Sequence, residues 1–270
     1  MAAISRAHDQ RERFKFKTRF RVVARDVGDY GTDEPVIETE EMVVESATLS
    51  FEDYLDVRVF HLLLTIFFYE GNIEEAFAFA KERGVKAFDL IVRLQQLLDR
   101  APAGFRKVIE DFVRESKEEL FETREAVVEW AKDRLPGLIS GELGGNLLSK
   151  YSMLGRFYAT HEGLDFVQLT IADMLGDRLG AGGRAELAAV MDYLRTVLLH
   201  VPLKETMRRA PTFTAAYDVE AWRDADFARP LTSFHTPAPL TWRTAMDAEK
   251  RAVIDSAVRA EAQRSRHCCT

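Results

Sequence analysis

The residues best suited to chemistry in this sequence share one predicted helix. Tyr54, Arg58 and His61 are separated by four and then three positions, a spacing that places their side chains on one face of an α-helix. Arginine can hold a carboxylate or a phosphate through paired N–H donors, and the phenol and imidazole exchange hydrogen bonds with polar groups. These three residues therefore form a candidate ligand-binding stripe, whereas a narrow solvent-facing edge of the helix is the favoured interpretation.

The surroundings of this stripe leave its role open. The helix, predicted over residues 50–69, is apolar in almost every other direction, which is typical of a buried helix. In a buried helix, the narrow polar stripe faces solvent, a cavity or another domain. Alternatively, the apolar side chains that the core of this chain does not cover form an interface with a second chain. Ser50 is predicted to cap the helix, with Asp53 as its partner at the third helical position.

Other patterns of catalytic or metal-binding residues are absent from the sequence. The histidines form no His-x-x-x-His pair, and no glycine-rich phosphate loop or Gly-x-Ser-x-Gly elbow occurs. The two cysteines, Cys268 and Cys269, follow His267 directly and are expected to be solvated thiols rather than metal ligands. The pairs Glu118-Glu119 and Glu74-Glu75 are expected to be helix-surface or first-turn acids. We therefore predict no catalytic, cofactor-binding or metal-binding residue in the chain itself.

Composition limits the class of protein. Across 270 residues the formal net charge is −7, and 47 % of the residues are apolar against 30 % charged. This balance is typical of a folded, soluble chain. The longest apolar run, Leu62 to Tyr69, is too short to span a membrane, and residues 1–10 lack the apolar region of a secretory signal. We expect a cytoplasmic protein that has no membrane partner.

The N-terminal region combines a basic strand with an acidic one. Residues 1–25 carry a charge of +6, and from Phe14 apolar and basic side chains alternate with the period of a half-buried strand. A second extended run, Val36 to Glu45, is rich in glutamate. The basic face could follow a nucleic-acid backbone, but pairing with the acidic strand is the favoured interpretation. We do not expect nucleic acid as a partner.

A period of 3.6 residues dominates from Ser50 to Pro202 and predicts a multi-helix bundle. Asn72 is expected to cap the second of its helices. The predicted helices cover residues 50–69, 72–84, 86–100, 105–134 (as one or two helices), 143–158, 164–179 and 183–200.

Beyond Pro202 the pattern changes again. A weak alternation over 212–219 predicts a strand, prolines keep residues 230–239 extended, and a final helix is expected over 246–264. The predicted fold class is therefore mainly α (α+β). The predicted divisions are an N-terminal strand pair (1–49), a helical domain (50–202) and an extended segment with a C-terminal helix (203–270).

Four stretches of this sequence carry a resemblance to a known family. They are Lys15-Phe16-Lys17-Thr18-Arg19-Phe20-Arg21, Asp26-Val27-Gly28-Asp29-Tyr30, Glu40-Glu41-Met42-Val43-Val44 and Ser50-Phe51-Glu52-Asp53-Tyr54-Leu55. Together with Arg58 and Phe60, they resemble the C-terminal region of radical SAM proteins that carry a cobalamin-binding domain. The resemblance is strongest over residues 14–69, and Tyr217-Asp218 with Trp222 extend it.

The resemblance implies an architecture for the whole family. A cobalamin domain precedes a partial (β/α) barrel, which holds a four-iron four-sulfur cluster and binds S-adenosylmethionine, and a mostly helical C-terminal region closes over the barrel. The present sequence lacks the family's Cys-x-x-x-Cys-x-x-Cys loop and its Asp-x-His-x-x-Gly cobalamin motif. The resemblance thus implies an accessory region without cofactors of its own, which closes over substrate or docks on a separate radical SAM catalytic chain.

Such a region would be a split or truncated gene product, or a free-standing descendant with another role. The alternative function is that of a small-molecule binding protein or enzyme, whose pocket is lined by Tyr54, Arg58 and His61.

Overall fold

The computed structural model of the chain describes residues 8–28, 31, 34–69, 71–198 and 212–243. Helices predominate in these residues, and the strands form two antiparallel pairs. The fold is therefore mainly α with some β, which confirms the predicted class. The helix expected over 246–264 and the cysteine pair at 268–269 lie outside the described residues.

The elements are named in chain order. They are α1 (His8–Phe14), β1 (Lys17–Gly28), β2 (Val36–Glu45), α2 (Phe51–Phe67), α3 (Glu74–Glu82), α4 (Ala87–Gln96), α5 (Ala103–Glu118), α6 (Arg124–Lys132), α7 (Leu135–Ile139), α8 (Leu147–Met153), a π-helix (Leu154–Tyr158), α9 (Thr160–Leu175), α10 (Gly180–Val197), β3 (Thr212–Tyr217), α11 (Val219–Asp224) and β4 (His235–Arg243), with short 3₁₀-helices at Leu98–Arg100, Gly176–Leu179 and Leu231–Phe234. No helix among them combines the length and the apolar character that crossing a membrane requires.

Contacts within the chain divide it into two compact units. Unit 1 contains Met1–Thr65 and Lys107–Met153, and unit 2 contains Ile66–Arg106 and Leu154–Thr270. Each unit is thus assembled from two separate stretches of sequence. The division into 1–49, 50–202 and 203–270 was drawn from sequence pattern, and it stays a prediction.

In unit 1, the strands β1 and β2 pair through opposite charges. Lys17 lies opposite Glu45 in the ladder, with 2.8 Å between Nζ and the carboxylate, and Arg21 lies opposite Glu40 and contacts its carboxylate. Cross-strand pairs of this kind stabilise a sheet. The basic strand therefore has acidic partners within the sheet, as the favoured interpretation predicts.

The first strand begins later than predicted. Phe14 ends α1 instead of opening β1, and Lys15 adopts a left-handed conformation with φ of 52°. A left-handed residue cannot continue an extended strand, so pairing starts only at Lys17. The alternation of apolar and basic residues is continuous through this turn, and for that reason the sequence pattern did not show it.

The predicted cap of α2 is present. The backbone N–H of Asp53 donates to Ser50 Oγ at 3.1 Å, and the Asp53 carboxylate accepts from the Ser50 backbone N–H at 2.9 Å. These reciprocal bonds form a capping box, and they lower the pKa of Asp53 because they favour its charged form. The sequence thus identifies the start of the helix that carries the candidate site.

We expect Ser50→Ala to lower the free energy of unfolding by about 1 kcal/mol, since the N–H groups of the first turn lose their acceptor. Urea denaturation followed by circular dichroism measures this loss. Thr48→Ala, two residues earlier and outside the capping box, serves as the control. An equal loss in both variants would show that the cap contributes nothing specific.

Asn72 does not cap α3 as predicted. The helix begins at Glu74, its capping position is Ile73, and no side chain bonds the first turn there. Asn72 Oδ1 instead accepts from Arg156 Nη2 at 3.3 Å, within unit 2. An arginine so far along the chain competes for the amide, and a local sequence pattern cannot reveal such a partner.

Each unit has its own apolar core. In unit 1, α2 buries one face completely, at positions that include Leu55, Val59 and Leu62, although Val57 on the same helix is 60 % exposed. Unit 2 packs around aromatic rings. The Phe105 ring lies 5.5 Å from that of Phe67 and 5.9 Å from that of Phe166. The core of unit 1 holds α2, the helix that carries Tyr54, Arg58 and His61.

The strand predicted over 212–219 is confirmed as β3, and it pairs with β4. β4 covers only the second half of the segment that prolines were predicted to keep extended. The first half is not extended, because Leu231–Phe234 form a 3₁₀-helix directly after Pro230. Pro237 and Pro239 lie inside this strand and provide no N–H, which is tolerated because the pair has only two strands and β4 is an edge.

Candidate functional site

A cavity of about 880 Å³ lies within unit 1. Its wall is formed by β1, β2, α2, α5 and the loop between α7 and α8. Tyr54, Arg58 and His61 all line it. The polar stripe of α2 therefore faces a cavity, which is one of the alternatives that the sequence left open.

Helix α2 positions these three side chains at successive turns. Tyr54 and Arg58 are half-buried and His61 is exposed. Arg58 Nη1 donates to the Tyr54 hydroxyl at 3.1 Å, and the guanidinium lies 5.3 Å from the ring centre of buried Phe112. The aromatic contacts restrict the arginine, so that its charged end is held at the cavity wall.

Three further charged residues meet Arg58 at this wall. Glu119 Oε1 lies 2.8 Å from Arg58 Nη1 and 3.3 Å from Arg21 Nη1, and Arg21 also contacts Glu40. All four line the cavity. We call Arg21, Glu40, Arg58 and Glu119 the charge cluster. Its positive and negative groups alternate in space and its formal charge is zero.

A short backbone bridge positions Glu119. Residues just after α5 run beside β1, where Phe20 and Phe121 exchange two backbone hydrogen bonds of 2.8 Å. Glu119 is thereby held close to Arg21 on the same strand. The expectation that Glu119 is a surface acid is wrong, because its side chain is only 21 % exposed and contacts two arginines.

The environment keeps Arg21 charged. Burial lowers the pKa of this guanidinium, but Glu119 and Glu40 act in the opposite direction and the net effect raises it. Arg21 therefore keeps its positive charge near neutral pH, which suits recognition of a charged ligand.

Some donor and acceptor atoms of the charge cluster take no part in its ion pairs. Arg58 uses Nη1 for both of its polar contacts, while Glu40 and Glu119 each use Oε1. Within the part of the chain that the structure describes, Arg58 Nε and Nη2 and the second oxygen of each glutamate have no hydrogen-bond partner. A ligand can therefore reach donors and acceptors without breaking the existing ion pairs.

The remaining wall is largely apolar and includes a glycine-rich loop. Side chains from the strands and from α7 and α8 line it, among them Val22, Met42, Leu138 and Leu147. Gly141 and Gly144 of the loop have φ angles of 75° and 73°, which non-glycine residues rarely adopt. These glycines let the backbone itself form part of the wall.

The sequence predicted the stripe on α2 but not the three charged residues that meet it at the cavity wall. The basic strand that contains Arg21 was predicted to pair with the acidic strand that contains Glu40, without any connection to the stripe, and Glu119 was assigned to the surface. The alternating strand pattern was the available signal, because it places Arg21 opposite the acidic run. No local sequence pattern linked Arg21, Glu40 or Glu119 to helix α2, which begins at Phe51.

A second and smaller cavity lies in unit 2. Its volume is about 40 Å³, and the π-helix lines it together with Phe67 and Asn72. A space of this size holds a few water molecules rather than an organic ligand. The cavity of unit 1 is therefore the candidate site.

The described residues offer no obvious metal site. Among the described residues, no group of three histidine, cysteine, aspartate or glutamate side chains is placed to hold a metal ion. The chain's two cysteines, Cys268 and Cys269, cannot supply the three thiolates that the family's iron–sulfur cluster needs. The residues present therefore do not fit that cluster.

Comparison with known proteins adds no assignment. No family model matches the chain, and no curated protein is significantly similar to it. The likeness to radical SAM proteins rests on the quoted residues alone and stays a prediction.

Proposed function

We propose that the chain binds a small organic molecule in the cavity of unit 1, through an anionic group held by Arg58. One observation carries this proposal: Tyr54, Arg58 and His61, predicted to share a helix face, all line one cavity of about 880 Å³. Ligand pockets of proteins typically measure about 300–1,000 Å³. The size, together with one polar and one apolar wall, favours an organic ligand over a bare ion.

Arg58 is the residue on which binding depends. Its guanidinium is half-buried, restricted by Phe112, and keeps two N–H groups for a ligand. A carboxylate or phosphate can accept from such a pair of donors. In a half-buried site these bonds are less screened by water than on the surface.

The test compares two probes that share one apolar body and carry a charged or an uncharged end group, 4-phenylbutyrate and 4-phenylbutanol. We expect the acid to stabilise the protein more than the alcohol, and Arg58→Ala to abolish this difference. A ligand present at about 100 times its Kd stabilises the folded state by about 2.7 kcal/mol, which thermal unfolding detects as a rise of several degrees.

Arg114→Ala is the matched control. Arg114 lies on α5, is exposed, pairs with Glu118, and does not line the cavity. We expect this variant to keep the full response to 4-phenylbutyrate. Equal stabilisation by the acid and the alcohol, or an undiminished response in Arg58→Ala, would refute the proposal.

A second proposal follows from the resemblance, and one observation favours it. The stretch 14–69 that resembles radical SAM proteins also contributes Arg21, Glu40 and the α2 stripe to the cavity. We propose that the chain is an accessory region of a radical SAM enzyme of the cobalamin-dependent type, whose cavity contacts the substrate of a separate catalytic chain. A neighbouring reading frame with the Cys-x-x-x-Cys-x-x-Cys loop would support this, and its absence would contradict it.

A further inference from the structure

The charge cluster limits which ligand the cavity accepts. Its two arginines and two glutamates sum to zero, and the two carboxylates line the same cavity as Arg58. A purely anionic ligand placed at Arg58 would also approach Glu119, whose Oε1 lies 2.8 Å from Arg58 Nη1. Like charges at short range in a half-buried site repel one another, so a second negative group alone fits poorly.

We infer that the ligand is a zwitterion, with an anionic group for Arg58 and a cationic amino group for Glu40 and Glu119. This inference rests on the proposed binding function and specifies its ligand. The unused N–H groups of Arg58 can donate to the ligand's carboxylate. The unused oxygens of the two glutamates can accept from its ammonium group.

This mode of binding leaves the ion pairs of the protein in place. Arg58 and Glu119 are 17 % and 21 % exposed, so removing either from its partner would leave a poorly solvated charge. A zwitterion adds one positive and one negative group and preserves the neutrality of the cluster. A simple anion or a simple cation would leave an unbalanced charge at the wall.

The apolar wall determines the rest of the ligand. Val22, Met42 and Leu147 line the same cavity as the charge cluster. A cavity of about 880 Å³ has room for an apolar body attached to the charged groups. The ligand class is therefore a zwitterion with a sizeable apolar part, such as an apolar amino acid derivative or a short apolar peptide.

Four dipeptide probes with the same apolar body separate the contributions of charge. They are Leu-Phe (zwitterion), acetyl-Leu-Phe (anion), Leu-Phe amide (cation) and acetyl-Leu-Phe amide (neutral). Calorimetric titration of the whole chain at pH 7 should give the tightest binding for Leu-Phe. We expect its Kd to be about tenfold lower than that of either singly charged probe, with the neutral probe weakest.

Glu40→Gln should weaken binding of Leu-Phe and Leu-Phe amide by about tenfold, and that of acetyl-Leu-Phe much less, because it removes a carboxylate offered to the ammonium group and leaves Arg58 and its contact with Glu119 in place. Glu38→Gln is the control. Glu38 lies on the same strand, is exposed, and does not line the cavity. Should Glu40→Gln fold poorly, as judged by circular dichroism, Glu119→Gln provides the same test from the other carboxylate.

The outcomes distinguish this inference from the function on which it rests. If acetyl-Leu-Phe binds as tightly as Leu-Phe, and Arg58→Ala abolishes binding, the zwitterion inference is wrong and the anion-binding function stands. If 4-phenylbutyrate also fails to bind through Arg58, the proposed function is itself wrong. Equal affinities of wild type and Glu40→Gln for Leu-Phe would likewise overturn the inference.

Discussion

Replacing Trp222 with alanine should destabilise unit 2 by about 3–5 kcal/mol, the usual cost of deleting a large buried aromatic side chain. The Trp222 side chain is completely buried, and its ring meets that of Phe227 edge to face at 4.8 Å. Its Nε1–H donates to the backbone carbonyl of Arg229 at 2.9 Å. The substitution removes the packing and leaves this carbonyl without its donor.

Urea denaturation, followed by circular dichroism, measures the loss. Trp222→Phe is the matched control, because it keeps a ring in the core and removes only the hydrogen bond and part of the volume. We expect it to cost clearly less than the alanine variant. A loss below about 1 kcal/mol in Trp222→Ala would contradict the packing described for unit 2.

Replacing Glu75 with glutamine should stabilise the protein at pH 8 by up to about 3 kcal/mol and have little effect near pH 4.5. The side chain is 4 % exposed, and its burial raises the pKa to about 7, although the positive charge of Arg223 acts in the opposite direction. The folded protein therefore binds a proton that the unfolded chain releases at lower pH.

The sign of the pH dependence follows from this difference. Between about pH 4.5 and pH 7 the folded state holds more protons than the unfolded state at Glu75, so its contribution to stability falls as the pH rises. Above pH 7 the full cost of burying the carboxylate is present. Glutamine has no charge to bury and removes this dependence.

Urea denaturation of wild type and variant at pH 5, 6, 7 and 8 tests the prediction. Glu74→Gln, at the exposed neighbouring position on α3, is the control and should show no such trend. A stability difference between wild type and Glu75→Gln that is the same at pH 5 and pH 8 would show that folding does not raise the pKa of Glu75, and it would contradict the prediction.

Several local elements could be predicted from the sequence. The capping box of Ser50 and Asp53, the acidic strand Val36–Glu45 and the strand near residue 212 all match the structure. Each depends on interactions between residues a few positions apart, or on the period of a regular element. Patterns of that range are fully present in the sequence.

Elements that depend on distant residues were missed. Asn72 is held by Arg156 rather than capping α3, and Glu119 contacts Arg21 across 98 positions of the chain. The two compact units are each assembled from separated stretches of the chain, Met1–Thr65 with Lys107–Met153 and Ile66–Arg106 with Leu154–Thr270. No local period records which distant segments pack together.

The candidate site depends both on a local sequence pattern and on contacts between distant segments of the chain. The sequence by itself determined that Tyr54, Arg58 and His61 share a face, because the helical period fixes the direction of side chains three and four positions apart. Only the tertiary structure decided that this face closes a cavity and that Arg21, Glu40 and Glu119 complete its charges. The reason is physical: a helix specifies its own faces, but the neighbour that covers each face is chosen by packing among segments far apart in the chain.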